Sequence, residues 1–141
     1  HATVLVLTIV SGAFTATALA WTLAKLGGAN TVILLSVLPK TVTTPIAMQV
    51  ASAIGGWPAI AAGTVALTGV AGAVCGPWLF DRLGIDDPRV RGLALGLAAH
   101  AVGTARAFDE SPQTGAYASL GLGLTGLLVA FVLPFIGPHL V

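Results

Sequence analysis

Three stretches of this 141-residue chain, Ala2–Ala24, Pro58–Phe80 and Gly115–Ile136, contain no charged residue at all. Coiled as helices at about 1.5 Å per residue, each reaches the roughly 30 Å needed to span the hydrocarbon of a bilayer. Each is also edged as a span should be. Lys25-Leu26-Gly27-Gly28 closes the first, Trp57 enters the second and Trp78-Leu79-Phe80-Asp81-Arg82 leaves it, and Tyr117 and Pro134 mark the third. A water-soluble domain carries about 25% charged residues, whereas this chain has 8% charged and 56% hydrophobic residues. The composition therefore predicts an all-α polytopic membrane protein with three full transmembrane helices. It excludes a soluble enzyme and a disordered chain, and a formal charge of +1 leaves no electrostatic footprint for nucleic acid.

Two segments between these spans do not fit the pattern. Asn30–Leu38 is apolar but is stopped by Pro39-Lys40. Thr41-Val42-Thr43-Thr44-Pro45 follows, and a second apolar run, Ile46–Ile54, ends at Gly55-Gly56. Each half is about 15 Å of helix, half a bilayer. The other misfit starts at Gly92, holds His100 and Gly103, meets Arg106 and ends in Asp109-Glu110-Ser111-Pro112. Both are expected to be broken or re-entrant. The loop 81–91 holds Arg82, Arg89 and Arg91, which places it on the cytoplasmic side. If both segments cross, Lys25 joins that side. If both are hairpins, it does not. Charge leans only slightly toward crossing, and both geometries stay open.

The misfits align with each other. Lys40-Thr41-Val42-Thr43-Thr44-Pro45-Ile46-Ala47 shares the pattern cation-x-Val-x-Thr-x-x-Ala with His100-Ala101-Val102-Gly103-Thr104-Ala105-Arg106-Ala107. Leu67-Thr68-Gly69 likewise matches Leu124-Thr125-Gly126, and Pro77 matches Pro134. One membrane domain, 1–141, is thus expected to contain two repeat units, about 29–80 and 91–137, each a broken segment followed by a full helix. Paired interrupted segments point to a transporter binding site. Chance likeness between helices rich in small residues is the competing explanation.

Lys40 with Thr41, Thr43, Thr44 and Pro45 is the strongest chemical signal. A cation at membrane depth costs about 3 kcal/mol on insertion scales and marks a functional site by default. Thr43 or Thr44 can cap the second half-helix and Pro45 suits its first turn, so free N–H groups there form an anion site. Against this stands a lysine that snorkels to the headgroups. His100, Gly103, Thr104 and Arg106 form the second cluster. His100 and Thr104 share a helix face, and Arg106 offers a fork for a carboxylate. The plainer reading pairs Arg106 with Asp109 or Glu110.

Gly121-Leu122-Gly123-Leu124-Thr125-Gly126 matches a dinucleotide fingerprint only in form, since no strand precedes it and no acidic contact follows. Its glycines, like Gly72-x-x-x-Gly76 and Gly92-x-x-x-Gly96, suit close helix packing. Asp81, Asp86, Asp87 and Arg89 read as a solvated loop. Cys75 is the single cysteine. No nucleophile triad, metal spacing or phosphate loop is present, so no enzyme, metal or cofactor is expected.

Leu38-Pro39-Lys40-Thr41-Val42-Thr43-Thr44-Pro45-Ile46-Ala47-Met48, Arg91-Gly92-Leu93-Ala94-Leu95-Gly96 and His100 through Ala107 together resemble the LrgB family, in order along essentially the whole chain. Members of that family usually have further N-terminal helices, and this chain opens at His1, so it is expected to be the C-terminal part of such a protein. The resemblance implies one of two activities. One is transport of small monocarboxylates of the glycolate, glycerate or pyruvate type, as in the plastid relative. The other is antiholin-like regulation of murein hydrolase export and lysis with a holin-like LrgA partner. The residues favour a carrier, with the anion held between the two breaks by Lys40, Arg106 and the threonine hydroxyls, in a homo-oligomer.

Overall fold

A computed structural model describes residues 2–140. Among them there is no strand. The order is α1 (Ala2–Leu26), α2 (Thr31–Val37), α3 (Thr44–Ala53), α4 (Pro58–Leu83), α5 (Pro88–Glu110) and α6 (Pro112–Ile136), closed by a 3₁₀ turn at Gly137–His139. Three helices are long and apolar enough to cross a membrane, Thr3–Leu26, Pro58–Leu83 and Pro112–His139. They coincide with the three uncharged stretches. Three helix ends are built alike. At Gly28, Gly55 and Gly84 the backbone turns left-handed, with φ of 77°, 87° and 65°. In each case the next amide reaches back to a carbonyl five residues earlier, as Ala29 does to Ala24 at 3.0 Å. The missing Cβ makes that turn free of strain.

The chain forms two compact units. The first comprises the residues up to Ala66 together with those from Thr125 onward. Its core is Leu35, Leu38, Val42, Ala47, Val50, Ala51, Ile54, Ala61, Val65, Val129 and Leu133, with Trp21 and Ile46 packed against it. After α3 the chain returns to α2. The Trp57 amide donates to Ser36 Oγ at 2.7 Å, and a Cβ on Gly56 would lie 2.9 Å from the Ser36 amide nitrogen. The misfit segment therefore folds back on itself instead of running straight.

The second unit is Leu67–Leu124. It owes its form to α5, which reverses at His100, the one non-glycine residue with positive φ among those described (φ 41°, ψ −126°). Arg91 and Glu110 would sit about 28 Å apart on a straight helix, yet Arg91 Nε donates to Glu110 Oε2 at 2.9 Å. The two arms, 88–99 and 101–110, are thus a helical hairpin, and of the two geometries left open for this segment the fold-back is the one present. Glycines let its neighbours approach. On α4, a Cβ on Gly69, Gly72 or Gly76 would meet His100, Ala99 or Leu95 at 2.6, 2.7 and 2.9 Å. Gly92 and Gly96 lie directly on the carbonyls of Thr114 and Ala118 in α6. Lipid offers no hydrophobic drive for helices to associate, so this close packing between small residues is what holds the hairpin. Its tip lies level with Gly69, near the middle of α4.

Candidate functional site: the two interruptions

Between α2 and α3, residues 38–43 leave the helix. Pro39 brings no N–H to the end of α2, and Lys40 N–H closes the last turn on Val37 O at 3.3 Å. Thr43 takes the N-cap position with extended backbone (φ −69°, ψ 152°), and Pro45 stands in the first turn. The expected cap bond is missing: no Thr43 hydroxyl bond to the helix is formed. Ala47 N–H to Thr43 O, 2.9 Å, is the first bond of α3, so the Thr44 and Ile46 amides have no acceptor within the helix.

Burial sharpens this picture. Leu38, Pro39, Thr41 and Val42 are buried, while Lys40, Thr43 and Thr44 are half-buried and Pro45 is exposed. The Thr41 hydroxyl is enclosed with no hydrogen-bond partner, a situation that costs on the order of 1–3 kcal/mol unless something completes it. Among the described residues no carboxylate stands within ion-pair distance of Lys40. The first cluster thus brings together a cation without a counter-ion, an unsatisfied hydroxyl and a helix N-terminus.

The second cluster divides. His100 is buried at the hairpin tip, with its Nε2 3.5 Å from Thr68 Oγ1. Thr104 Oγ1 donates to the His100 carbonyl at 2.7 Å, within the same turn. Gly103 lies on the Leu95 carbonyl and Ala99 Cβ, where any side chain would collide. Arg106 belongs elsewhere. It sits toward the base of the hairpin, 39% exposed, with Nη2 4.0 Å from Glu110 Oε1. The plainer reading of Arg106, an ion pair with Glu110, is the observed one.

The residue that sequence reasoning passed over is Arg91. It bonds Glu110, Asp81 Oδ1 at 2.7 Å and the Ile85 carbonyl at 3.2 Å, and stacks 5.3 Å from the Phe80 ring. The hydrogen bond to Glu110, then that to Asp81, keeps its guanidinium more firmly charged than usual. One signal was available. Opposite charges stand at the two ends of the segment, Arg91 before it and Glu110 at its close, where a run that doubles back can pair them. Asp87 behaves as the expected loop residue: its carboxyl is held below the ordinary carboxylate range by hydrogen bonds from Arg89, side chain first.

Long apolar helices and two fold-back segments define the class: a polytopic helical membrane protein. The LrgB-like family model matches residues 1–138, and the chain belongs to the LrgB family. It is 35% identical over 129 residues to an uncharacterized protein of Haemophilus influenzae, covering 92% of this chain and 56% of that one. It is 31% identical over 132 residues to the antiholin-like protein LrgB of Bacillus mycoides, covering 94% and 57%. It is 28% identical over 134 residues to the holin-like protein CidB of Staphylococcus epidermidis, covering 95% and 58%. The chain spans a little over half the length of these relatives. No solved structure matches it.

Proposed function

We propose that the chain is part of a bacterial plasma-membrane regulator of the holin and antiholin type, acting with an LrgA-like membrane partner on murein hydrolase export and lysis. The observation that supports this reading is the family match along the chain, with relatives named holin-like and antiholin-like. A physical feature agrees with it. Leu67, Val70, Val74 and Trp78 form an exposed apolar stripe on α4 at helical spacing, a face suited to lipid or to another helix. The test expresses the full-length protein with and without an LrgA-type partner in cells lacking both. The regulator reading expects the pair to copurify from membranes and to change the rate of autolysis. Unchanged lysis with no copurification overturns it.

A second reading is favoured by the first interruption: a carrier of small monocarboxylates. Lys40 supplies charge, Thr41, Thr43 and Thr44 supply hydroxyls, and Pro45 starts the helix whose amides face the anion. His100, Gly103 and Thr104 shape the second fold-back. Liposome uptake of labelled glycolate or pyruvate by the full-length protein separates the two readings. A carrier loses uptake with Lys40→Ala and retains most of it with Arg106→Ala, since Arg106 is engaged by Glu110. Background flux in all three proteins, the unaltered one included, removes the carrier.

A further inference from the structure

Within the first unit, a cavity of about 400 Å³ opens along α1 and the last part of α6. Its walls include Val10, Phe14 and Trp21 on one side and Val132, Leu133 and Ile136 on the other. At the ~30 Å³ that a water occupies in the liquid, this volume is room for roughly a dozen water-sized groups. From Val10 to Thr22 the lining runs about 18 Å along α1, slightly more than one leaflet of a hydrocarbon core near 30 Å thick. The shape therefore suits a single acyl chain lying lengthwise.

One end of the groove is polar. Trp21 lines the groove, and its indole N–H is enclosed without a partner. The Lys25 ammonium sits 4.4 Å from the centre of the same ring. Trp and Lys in the last turns of a spanning helix mark the headgroup level. The cation there complements a phosphate, while the wall below complements a lipid tail.

The geometry points to a site for one anionic phospholipid of the surrounding bilayer, its tail in the groove and its phosphate at the Lys25 ammonium beside the Trp21 ring. This assignment needs only that α1 spans the membrane, and it stands apart from either reading of the protein's activity. Because Thr17 Oγ1 also reaches the Leu38 carbonyl at 3.4 Å and Leu38 lines the same groove, the bound tail touches the wall of the first interruption.

The test uses the full-length protein with Trp57→Phe and Trp78→Phe, and any further tryptophan likewise replaced, so that Trp21 alone fluoresces. The protein is placed in vesicles of phosphatidylcholine containing brominated phosphatidylglycerol or, separately, brominated phosphatidylcholine. A specific site quenches Trp21 with a two- to fivefold preference for the anionic lipid, about what one lysine near the surface supplies. Lys25→Gln abolishes that preference, and Ala18→Phe, which fills the groove, reduces quenching by both lipids. Equal quenching by the two lipids means bulk bilayer contact only and overturns the site. No quenching by either means that protein, another segment or a second copy, covers the groove, and also overturns it.

Discussion

The two interruptions reach the same result, a segment that folds back, by opposite means. The first is written in the covalent chain. Pro39 ends one helix, Pro45 starts another, and six residues between them follow neither. The second contains no proline. It depends on one residue, His100, holding a backbone conformation that L side chains rarely adopt, and on contacts from α4 and α6 that keep it there. A break encoded by proline is local and survives loss of its neighbours, whereas a break held by packing is a tertiary structure in its own right. The first interruption is therefore free to leave Lys40 and Thr41 without partners. In the second, the charged groups are occupied in holding the hairpin closed.

The sharpest way to break this comparison is to remove the packing. Gly96→Leu places a side chain into the Ala118 carbonyl, and we expect a loss of about 3 kcal/mol or failure to fold. Gly123→Leu, in the glycine-rich run of α6 and with nothing within 4 Å of its Cβ, should stay within about 0.5 kcal/mol. Thermal or SDS-titrated unfolding of the detergent-solubilised protein measures both. Equal effects would mean that the hairpin does not rest on these contacts.

Next in size is the ionic clasp. Arg91→Gln leaves Glu110, whose side chain is only 14% exposed, with just the distant Arg106 for a counter-charge. A cost of about 2 kcal/mol follows, below the 3–5 kcal/mol of a fully buried pair because some solvent reaches it. Arg106→Gln removes a long, exposed contact and should change stability by under about 0.5 kcal/mol. A reversed order would make Arg106 the clasp and would return it to the list of unengaged cations.

The membrane class and the three spans were legible in the sequence. Hydropathy, proline position and charge are local properties, and a bilayer imposes one length on every helix that crosses it. The spacing of Gly72 with Gly76 and of Gly92 with Gly96 likewise announced close packing, and these residues do meet α5 and α6. The reversal at His100 was only half visible. The cluster around it was marked as a misfit, but nothing in residues 92–105 forces a turn, because the force comes from glycines on other helices. The two readings of Arg106 stayed open for a related reason. Sequence puts it six residues from His100 and four from Glu110, and only the fold-back, which brings Arg91 to the same acid, decides between the two. Thr43 or Thr44 was expected to cap α3; Thr43 occupies the cap position, without a hydroxyl bond to the helix.

The conformational demand at His100 separates from its ring by a pair of substitutions. His100→Gly and His100→Ala both delete the imidazole and its approach to Thr68, and they differ only in the Cβ that disfavours φ near 41°. Glycine should be the more stable of the two by about 1 kcal/mol. A matching pair at the first interruption, Leu38→Gly and Leu38→Ala, should show no glycine preference, since φ −55° is ordinary helical backbone. A glycine advantage at both positions, or at neither, would dissolve the distinction between a packed and an encoded break.

The smallest effect concerns the loop that leads into the hairpin. Arg89 holds Asp87 through its side chain at 2.8 Å and its backbone amide at 2.9 Å, and the Asp87 oxygen caps α5. The folded-state pKa of this carboxyl lies below its ordinary value of 3.8, so the stabilisation it gives is fully present above that pH. It is lost only as the pH falls through the depressed value. Because the pair is exposed to solvent, Arg89→Gln should lower stability only slightly, and that small loss is present between pH 5 and 8 and vanishes in acid. In acid, the carboxyl titration followed by NMR on Asp87 should move up toward 3.8 in the variant. The clasp at Arg91 differs in size, because the Arg91 and Glu110 side chains are each only 14% exposed. A variant at Arg89 that destabilised the protein at pH 7 as much as one at Arg91 would show that the loop, and not the closed base of the hairpin, sets the fold-back.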